Sequence, residues 1–185
     1  MKNIVLLGFM GSGKSCVGQI LAERLGRQFI DIDALVEQEI GMSIADFFAQ
    51  FGEPAFRDRE SAAVEAVAAQ SGAVVSTGGG VVLRQQNIDR LKRNGILFCL
   101  SACETTIVER TAGDRLRPLL NRPDRLQAIR RLLAERQPLY RQADHWIETD
   151  GRTAVEVAAA ILRILDGEAV RQFGAVNIAG GKPAR

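Results

Sequence analysis

The chain has 185 residues, of which 46% are apolar, and this length and composition suit a single domain with one core. Its formal net charge of +2 argues against general affinity for nucleic acids or membrane surfaces through bulk charge. The three cysteines lack any Cys-x-x-Cys pairing, so neither a disulfide framework nor a zinc site is supported. Because the sequence shows no signal-peptide pattern and no apolar run near about 18 residues, we expect a soluble protein of the cytoplasm.

Short apolar runs alternate along the chain with longer stretches of helical periodicity. We predict strands at residues 4–7, 29–32, 74–75, 96–100 and 146–147. We predict helices at residues 14–25, 34–40, 44–51, 54–69, 87–93, 104–110, 124–140 and 154–165. Five strands interleaved with helices indicate an α/β fold, a parallel sheet with helices on both faces. Ligands of such folds bind beyond the carboxyl ends of the strands, so the residues that follow each strand are candidates for a functional site.

The segment 8–15, directly after the first predicted strand, has the spacing Gly-x-x-x-x-Gly-Lys-Ser. A polyphosphate lies against backbone N–H groups at a helix N-terminus, and glycines let the backbone come that close. Lys14 is expected to reach the β- and γ-phosphates, and the hydroxyl of Ser15 is the usual protein ligand of the accompanying Mg²⁺. The motif therefore predicts binding of a nucleoside triphosphate, and a glycine-rich turn with only a structural role is the weaker interpretation.

Two carboxylates, Asp31 and Asp33, follow the second predicted strand. Side chains repeat every second residue in an extended segment, so both are expected on the same side, facing one cleft. One division of labour gives Asp31 to Mg²⁺ through water and Asp33 to a substrate hydroxyl, as general base or orienting acceptor. The alternative is that these acids only cap the helix predicted from Ala34, where Asp is a favoured N-cap. The residues alone do not decide between the two.

Three consecutive glycines, Gly78, Gly79 and Gly80, follow the third predicted strand. They give the backbone more freedom than a simple turn needs, which indicates that a ligand approaches the main chain closely. A flexible connection is the alternative. We favour a substrate contact, because the glycines lie at the edge of the sheet where ligands bind.

Residues 110–141 contain nine arginines and three acids. Within this stretch, residues 112–123 include one glycine and two prolines and are expected to form a mobile lid. Arg115 and Arg117 would then close over the phosphates and exclude water from the transferred group. For most of the nine arginines, a solvated helix face is the better interpretation.

A set of motifs, in this order along the chain, resembles the shikimate kinases: the phosphate loop, Asp31-Ile32-Asp33, Phe56-Arg57-Asp58-Arg59-Glu60, Gly78-Gly79-Gly80, Arg117-Pro118-Leu119-Leu120 and Glu135-Arg136-Gln137-Pro138-Leu139-Tyr140. The similarity spans residues 3–165 and implies a three-layer sandwich of the P-loop NTPase type, like the nucleoside monophosphate kinases. It also implies an ATP-dependent kinase. Its reaction would phosphorylate the 3-hydroxyl of shikimate, giving shikimate 3-phosphate and ADP on the way to chorismate and the aromatic amino acids.

The resemblance implies roles for individual residues on the substrate side. Asp33 would contact the ring hydroxyls, including the attacking one. The carboxylate of shikimate would be held by Arg57 and Arg136, and backbone N–H groups would come from Gly79 and Gly80. The catalytic residues implied by this pattern are Lys14, Asp33 and Arg117.

On the nucleotide side, the resemblance implies one Mg²⁺, held by Ser15 directly and by Asp31 through water. The residues expected to contact ATP are Gly11, Ser12, Gly13, Lys14, Ser15, Cys16, Arg110, Arg117 and Arg152. Two of these positions depart from the family pattern. The family commonly has Thr where Cys16 stands, and the loop of Arg152, which is expected near the adenine, lacks the proline that is often found there.

The resemblance further implies a monomer whose partners are the two small-molecule substrates, with neither nucleic acid nor membrane. Residues 1–166 are expected to form the kinase domain, and residues 167–185 a disordered tail. Two other functions stay open. One is a kinase for another polyol acid, such as gluconate, which shares the phosphate loop and the architecture. The other is a GTP-driven switch without an acceptor substrate, although the chain lacks an Asn-Lys-x-Asp guanine-reading motif.

Overall fold

The computed structural model describes residues 1–112 and 125–178, with side chains described for residues 1–112 and 126–167. The strands are β1 (Asn3–Leu7), β2 (Phe29–Asp31), β3 (Val74–Ser76), β4 (Gly95–Ser101) and β5 (His145–Glu148). They form one parallel sheet of five strands in the order β2-β3-β1-β4-β5. The predicted parallel sheet is confirmed.

The helices of the described residues are α1 (Lys14–Leu25), α2 (Ile32–Ile40), α3 (Ile44–Ala68), α4 (Gln85–Arg93), α5 (Glu104–Arg110), α6 (Arg125–Tyr140) and α7 (Ala154–Ile178). A short 3₁₀ helix at Val81–Leu83 joins β3 to α4. Each strand is followed by at least one helix, as expected for parallel strands, which need long crossover connections.

The two faces of the sheet are covered by different helices, because successive strand residues point in opposite directions. Ile4 and Leu6 of β1 pack in a core with α1 and α7. Val5 and Leu7 pack in a second core with α2, α3, α4 and α6. Every residue of the central strand β1 is buried, which explains its unbroken apolar run. The result is the three-layer sandwich that the resemblance implies.

The long helix α3 is broken where the sequence predicts a break. Gly52 has a φ of 79° and a ψ of 171°, a conformation that is not helical and that favours glycine. Pro54 follows, and its fixed φ suits the first turn of a helix. The second half of α3 therefore starts a new helical segment, whose Phe56, Val64 and Val67 pack in the second core.

The last helix is longer than predicted. The sequence pattern predicts an end at Leu165 and a disordered tail from residue 167, whereas α7 continues to Ile178. The predicted helix end at Leu165 is therefore too early, and the disorder of the tail stays a prediction. Residues 179–185, and the whole predicted lid except Ala112, lie outside the described residues. Among the described helices, none combines the length and apolarity needed to cross a membrane.

Candidate active site

The phosphate loop connects β1 to α1 at the carboxyl edge of the sheet. Gly13, the residue before α1, has a φ of 95°, in the left-handed region that favours glycine. At Gly8 a side chain would collide with the carbonyl oxygen of Leu100. The first hydrogen bond of α1 runs from the N–H of Val17 to the carbonyl of Gly13, at 2.9 Å. The N–H groups before Val17 therefore do not take part in the i to i−4 hydrogen bonds of the helix. Such a helix N-terminus is a site for anions.

Lys14 is placed at the centre of this loop. The residue is only 8% exposed, and its Nζ donates hydrogen bonds to the carbonyls of Gly8 and Phe9, each at 2.9 Å. The hydroxyl of Ser12 is buried and has no hydrogen-bond partner within the part of the chain that the structure describes. Burial raises the pKa of the nearby Cys99 thiol to about 12, although the charge of Lys14 opposes the rise. The loop thus carries one buried cation and a polar group that a ligand can satisfy.

Asp31 ends β2 and makes two kinds of contact. Its Oδ1 accepts hydrogen bonds from the N–H groups of Asp33 at 3.1 Å and Ala34 at 3.5 Å, which caps α2. Its Oδ2 accepts a hydrogen bond from the hydroxyl of Ser15 at 2.7 Å. The expectation that both aspartates share one side of an extended segment is wrong, because this cap starts α2 at Ile32. The capping interpretation is therefore confirmed for Asp31, whose second oxygen still reaches α1.

The oxygens of Ser15 and Asp31 suit a small hard cation such as Mg²⁺, which prefers oxygen ligands and keeps several waters. Both side chains are at least partly open to solvent. The described residues contain no group of three or more histidine, cysteine or acidic side chains that could hold a metal by itself.

The three glycines after β3 are packed among charged side chains. A methyl group on Gly78 would lie 2.6 Å from Oδ1 of Asp33 and 2.7 Å from Oε1 of Glu60. Gly79 accepts a hydrogen bond on its carbonyl from the hydroxyl of Tyr140 at 2.6 Å. Gly80 lies directly against the guanidinium of Arg57. The absence of side chains at these positions is what allows the acids and the arginine to come together.

Arg57 lies in the second half of α3 and is 8% exposed. Its Nη1 donates to Oε2 of Glu60 at 2.8 Å, and its Nε and Nη2 donate to Oε1 of Glu53 at 3.2 and 2.8 Å. Burial opposes the charge of Arg57, but the two carboxylates outweigh burial and raise its pKa. Burial also raises the pKa of Glu60, and the positive charges of Arg57, Arg136 and Arg84 oppose that rise. Oε1 of Glu60 is buried and unpartnered among the described residues.

Arg136 approaches the same loop from α6. It is 3% exposed, its Nη1 donates to the carbonyl of Gly79 at 3.2 Å, and its guanidinium carbon lies 5.8 Å from the centre of the Phe9 ring. Its Nε is buried and has no hydrogen-bond partner in residues 1–112 or 126–167. Burial raises the pKa of Tyr140, so this side chain stays a neutral donor to Gly79. A buried N–H without a partner is costly, and an acidic ligand would satisfy it.

The structure brings most of the predicted substrate residues together. Arg57 and Arg136 meet at Gly79 and Gly80, and Asp33 lies beside Gly78. We call this group of residues, with Glu60, the acceptor side of the site. Segment 8–16 with Asp31, which we call the phosphate side, lies at the same edge of the sheet, because β1, β2 and β3 are parallel neighbours there. The arrangement can hold an anionic small molecule next to a polyphosphate.

The predicted nucleotide contacts away from the phosphate loop are partly grouped. Arg110, at the end of α5, donates from Nη1 to the hydroxyl and from Nη2 to the carbonyl of Thr149, at 3.1 and 2.8 Å. Arg152 donates from Nη1 to the carbonyl of Glu148 at 3.2 Å. Both arginines therefore lie around the end of β5. Cys16 is exposed in the first turn of α1, and Arg117 falls outside the described residues.

Sequence reasoning missed Glu53 and Glu60 as parts of the site. Both form ion pairs with Arg57, which lies four residues after Glu53 and three residues before Glu60. Spacings of three and four residues place side chains on one face of a helix, so the sequence pattern could have indicated that both acids lie beside Arg57. Spacing alone did not reveal that Glu60 is buried, because its burial comes from the glycine loop of another element.

A parallel sheet with a phosphate loop at its carboxyl edge, and paired buried arginines beside that loop, defines a P-loop kinase of small molecules. The model of the family described as shikimate kinase matches residues 10–166. A shikimate kinase of Thermodesulfovibrio yellowstonii is 46% identical over 88% of this chain and 94% of its own. One of Symbiobacterium thermophilum is 49% identical over 88% and 95%.

A solved structure is similar as well. The shikimate kinase of Acinetobacter baumannii in complex with shikimate superposes with a TM-score of 0.88 at 38% identity, covering 91% of this chain and 94% of that one. The chain belongs to the shikimate kinase family. It is therefore an ATP-dependent phosphotransferase, and the nucleotide-switch and gluconate kinase alternatives lose their support.

Proposed function

We propose that this chain transfers the γ-phosphoryl group of ATP to the 3-hydroxyl of shikimate. The observation that carries the proposal is the convergence of two buried guanidinium groups, Arg57 and Arg136, on Gly79 and Gly80. One of them has a buried N–H without a partner among the described side chains. A carboxylate is the natural partner of such groups, and shikimate carries a single carboxylate on a ring with three hydroxyls.

The acceptor side is proposed to fix the ring so that one hydroxyl points toward the γ-phosphate. Arg57 and Arg136 would hold the carboxylate at one end of the ring, with backbone N–H groups of Gly79 and Gly80. Asp33 would accept hydrogen bonds from the ring hydroxyls at the other end. Support for this comes from the contact between Asp33 and Gly78, which places a carboxylate at the opposite end of the glycine loop from Arg57. Regioselectivity would then follow from positioning.

On the phosphate side, the backbone N–H groups of residues 11–16 and the ammonium of Lys14 are proposed to bind the polyphosphate. Ser15 would hold Mg²⁺ directly and Asp31 through water, for which their 2.7 Å contact provides the support. When bound, the ion neutralises charge on the β- and γ-phosphates. Arg117 is proposed to contact the phosphates, and Arg110 and Arg152 to lie near the adenine.

Catalysis by these residues would depend mainly on positioning and electrostatics. Phosphoryl transfer passes through a loose transition state that needs little covalent help, so Lys14 would contribute by stabilising charge on the phosphates. Asp33 would orient the attacking hydroxyl and accept its proton. The family resemblance also underlies our proposal of a cytoplasmic monomer.

A coupled assay of ADP release tests the proposal. ATP consumption should depend on added shikimate, and gluconate at the same concentration should give no signal above background. Product analysis by NMR should place the phosphate on the 3-hydroxyl. Turnover of GTP without any acceptor, or equal rates with gluconate, would contradict the proposed reaction.

A further inference from the structure

The orientation of the Arg57 guanidinium is set by two carboxylates from its own helix. A guanidinium is a planar fork of five N–H donors with fixed directions, so its edges can be assigned separately. Glu53 takes the edge formed by Nε and Nη2, with both bonds to its Oε1. Glu60 accepts a further bond from Nη1 at 2.8 Å. Two of the five donors, one on Nη1 and one on Nη2, are left by these contacts.

The Nη1–Nη2 edge of Arg57 lies against the glycine loop. A side chain on Gly80 would collide with Nη1, Nη2 and the central carbon of Arg57. The guanidinium can therefore lie this close to the loop only because residue 80 is glycine. Glu53 occupies a different edge, so it does not stand where the carboxylate of a substrate would bind.

The two acids differ in their surroundings. The side chain of Glu60 is 1% exposed, whereas that of Glu53 is 43% exposed. Glu53 also follows the non-helical Gly52, so it opens the second half of α3 one turn before Arg57. Glu60 is thus held by burial, while Glu53 reaches Arg57 from the exposed start of the second helical segment, one turn away.

We propose that Glu53 is a positioning residue, which turns the Nη1–Nη2 edge of Arg57 toward the carboxylate of the substrate. The inference rests on the proposed function, in which Arg57 binds that carboxylate. Without Glu53, the Nε–Nη2 edge becomes available and the fork can rotate away from Gly80. The substrate would then meet a correctly charged but wrongly oriented arginine.

Electrostatics alone predict the opposite result, which makes the test sharp. Removing a negative charge beside an anion site should strengthen binding of an anionic substrate. Positioning predicts weaker binding after Glu53→Ala, despite the loss of negative charge. The rise should be smaller after Glu53→Gln, whose neutral amide oxygen can still accept weaker versions of both bonds. For a half-exposed ion pair, we expect KM for shikimate to rise about three- to fivefold, with kcat and KM for ATP within about twofold of wild type.

Glu65→Gln is the matched control. Glu65 lies on the same helix and pairs with Arg90 at 3.0 Å, with its side chain 67% exposed. The control removes the same charge from α3, away from the glycine loop, and should leave KM for shikimate unchanged. Thermal unfolding of all variants checks that the fold is kept. If Glu53→Ala is unstable, Glu53→Gln, which preserves the size of the side chain, replaces it in the binding measurements.

A second substrate separates positioning from a general effect on structure. The methyl ester of shikimate keeps the ring hydroxyls but has no charged carboxylate for Arg57. Its dissociation constant, measured by calorimetry, should be the same for wild type and Glu53→Ala, whereas that of shikimate should rise. A dissociation constant for shikimate that falls or stays unchanged in both Glu53 variants would overturn the inference, and the proposed function would stand. Absence of shikimate-dependent ADP release by the wild type would overturn both.

Discussion

The phosphate side and the acceptor side lie at the same edge of the sheet but are built in different ways. Apart from Asp31, the phosphate side comes from one continuous segment after β1, and its proposed binding groups are mainly backbone N–H groups at the start of α1. The acceptor side combines side chains from α2, α3 and α6 with the glycine loop after β3. One side is local in sequence and depends on backbone geometry, and the other depends on how separate elements pack.

Both sides contain buried polar atoms without partners among the described residues, but of different kinds. On the phosphate side, Lys14 donates two hydrogen bonds to its own loop, and the buried hydroxyl of Ser12 has no partner. On the acceptor side, Glu60 Oε1 and Arg136 Nε are buried without partners among the described residues. Buried polar groups without hydrogen-bond partners lower the stability of the folded protein. On the acceptor side, we expect a bound substrate to reduce this free-energy penalty. We therefore expect changes on the two sides to affect different kinetic constants.

The largest expected effect is on the phosphate side. Lys14→Met should lower kcat by about 10³-fold or more, because it would remove the charge that we propose stabilises the transferring phosphoryl group. Asp33→Asn should lower kcat by less, about 10²-fold, since a loose transition state needs little proton removal. Steady-state kinetics on both variants, with circular dichroism to check folding, would test the order. A greater loss in the Asp33 variant would mean that proton removal matters more than charge stabilisation.

The next effect is on the acceptor side and should appear mainly in binding. Arg136→Lys keeps the charge but loses the planar fork, including the contact with the Gly79 carbonyl. KM for shikimate should rise about 10- to 100-fold, the range expected for hydrogen bonds to a charged group. KM for ATP should stay within about twofold. Equal rises in both KM values would show that the two sides are not separable.

Glu60→Ala should affect stability as well as binding. Glu60 pairs with Arg57 in a buried setting, and removing one partner of a buried ion pair leaves an uncompensated charge, at a cost of about 3 kcal/mol. For a protein of this size, Tm should fall by about 6–12 °C. Asp58→Asn, which removes an exposed partner of Arg84 on the same helix, should change Tm by less than about 2 °C. A similar Tm for both variants would show that Glu53 alone compensates the charge of Arg57.

The difference between the two sides also explains what could be predicted from sequence. The sheet, the break in α3 near Gly52 and the phosphate loop are encoded in contiguous patterns, and the fold follows from them. Arg57 and Arg136 were assigned through resemblance to a family. The burial of Glu60 was missed, because it depends on a loop eighteen to twenty residues further along the chain, at Gly78–Gly80.

Asp31 shows a second reason for error, which is competition between two local patterns. Alternation in an extended segment predicts that Asp31 and Asp33 face the same way. Capping predicts a helix start at the same place, and here the cap determines the geometry. A single residue satisfies the helix with one oxygen and approaches the phosphate loop with the other, so neither pattern alone describes it.

The smallest expected effect separates these two contacts of Asp31. Asp31→Asn keeps an oxygen that can cap α2, and Asn is as good an N-cap as Asp, so Tm should stay within about 1 °C. The variant removes the charge next to the Ser15 hydroxyl, so the Mg²⁺ concentration for half-maximal activity should rise about two- to fivefold. Asp31→Ala removes both contacts and should also lower Tm by about 2–4 °C, as expected for a lost cap. If Asp31→Asn left the magnesium requirement unchanged, the contact with Ser15 would belong to the fold, and the phosphate side would depend on backbone and Lys14 alone.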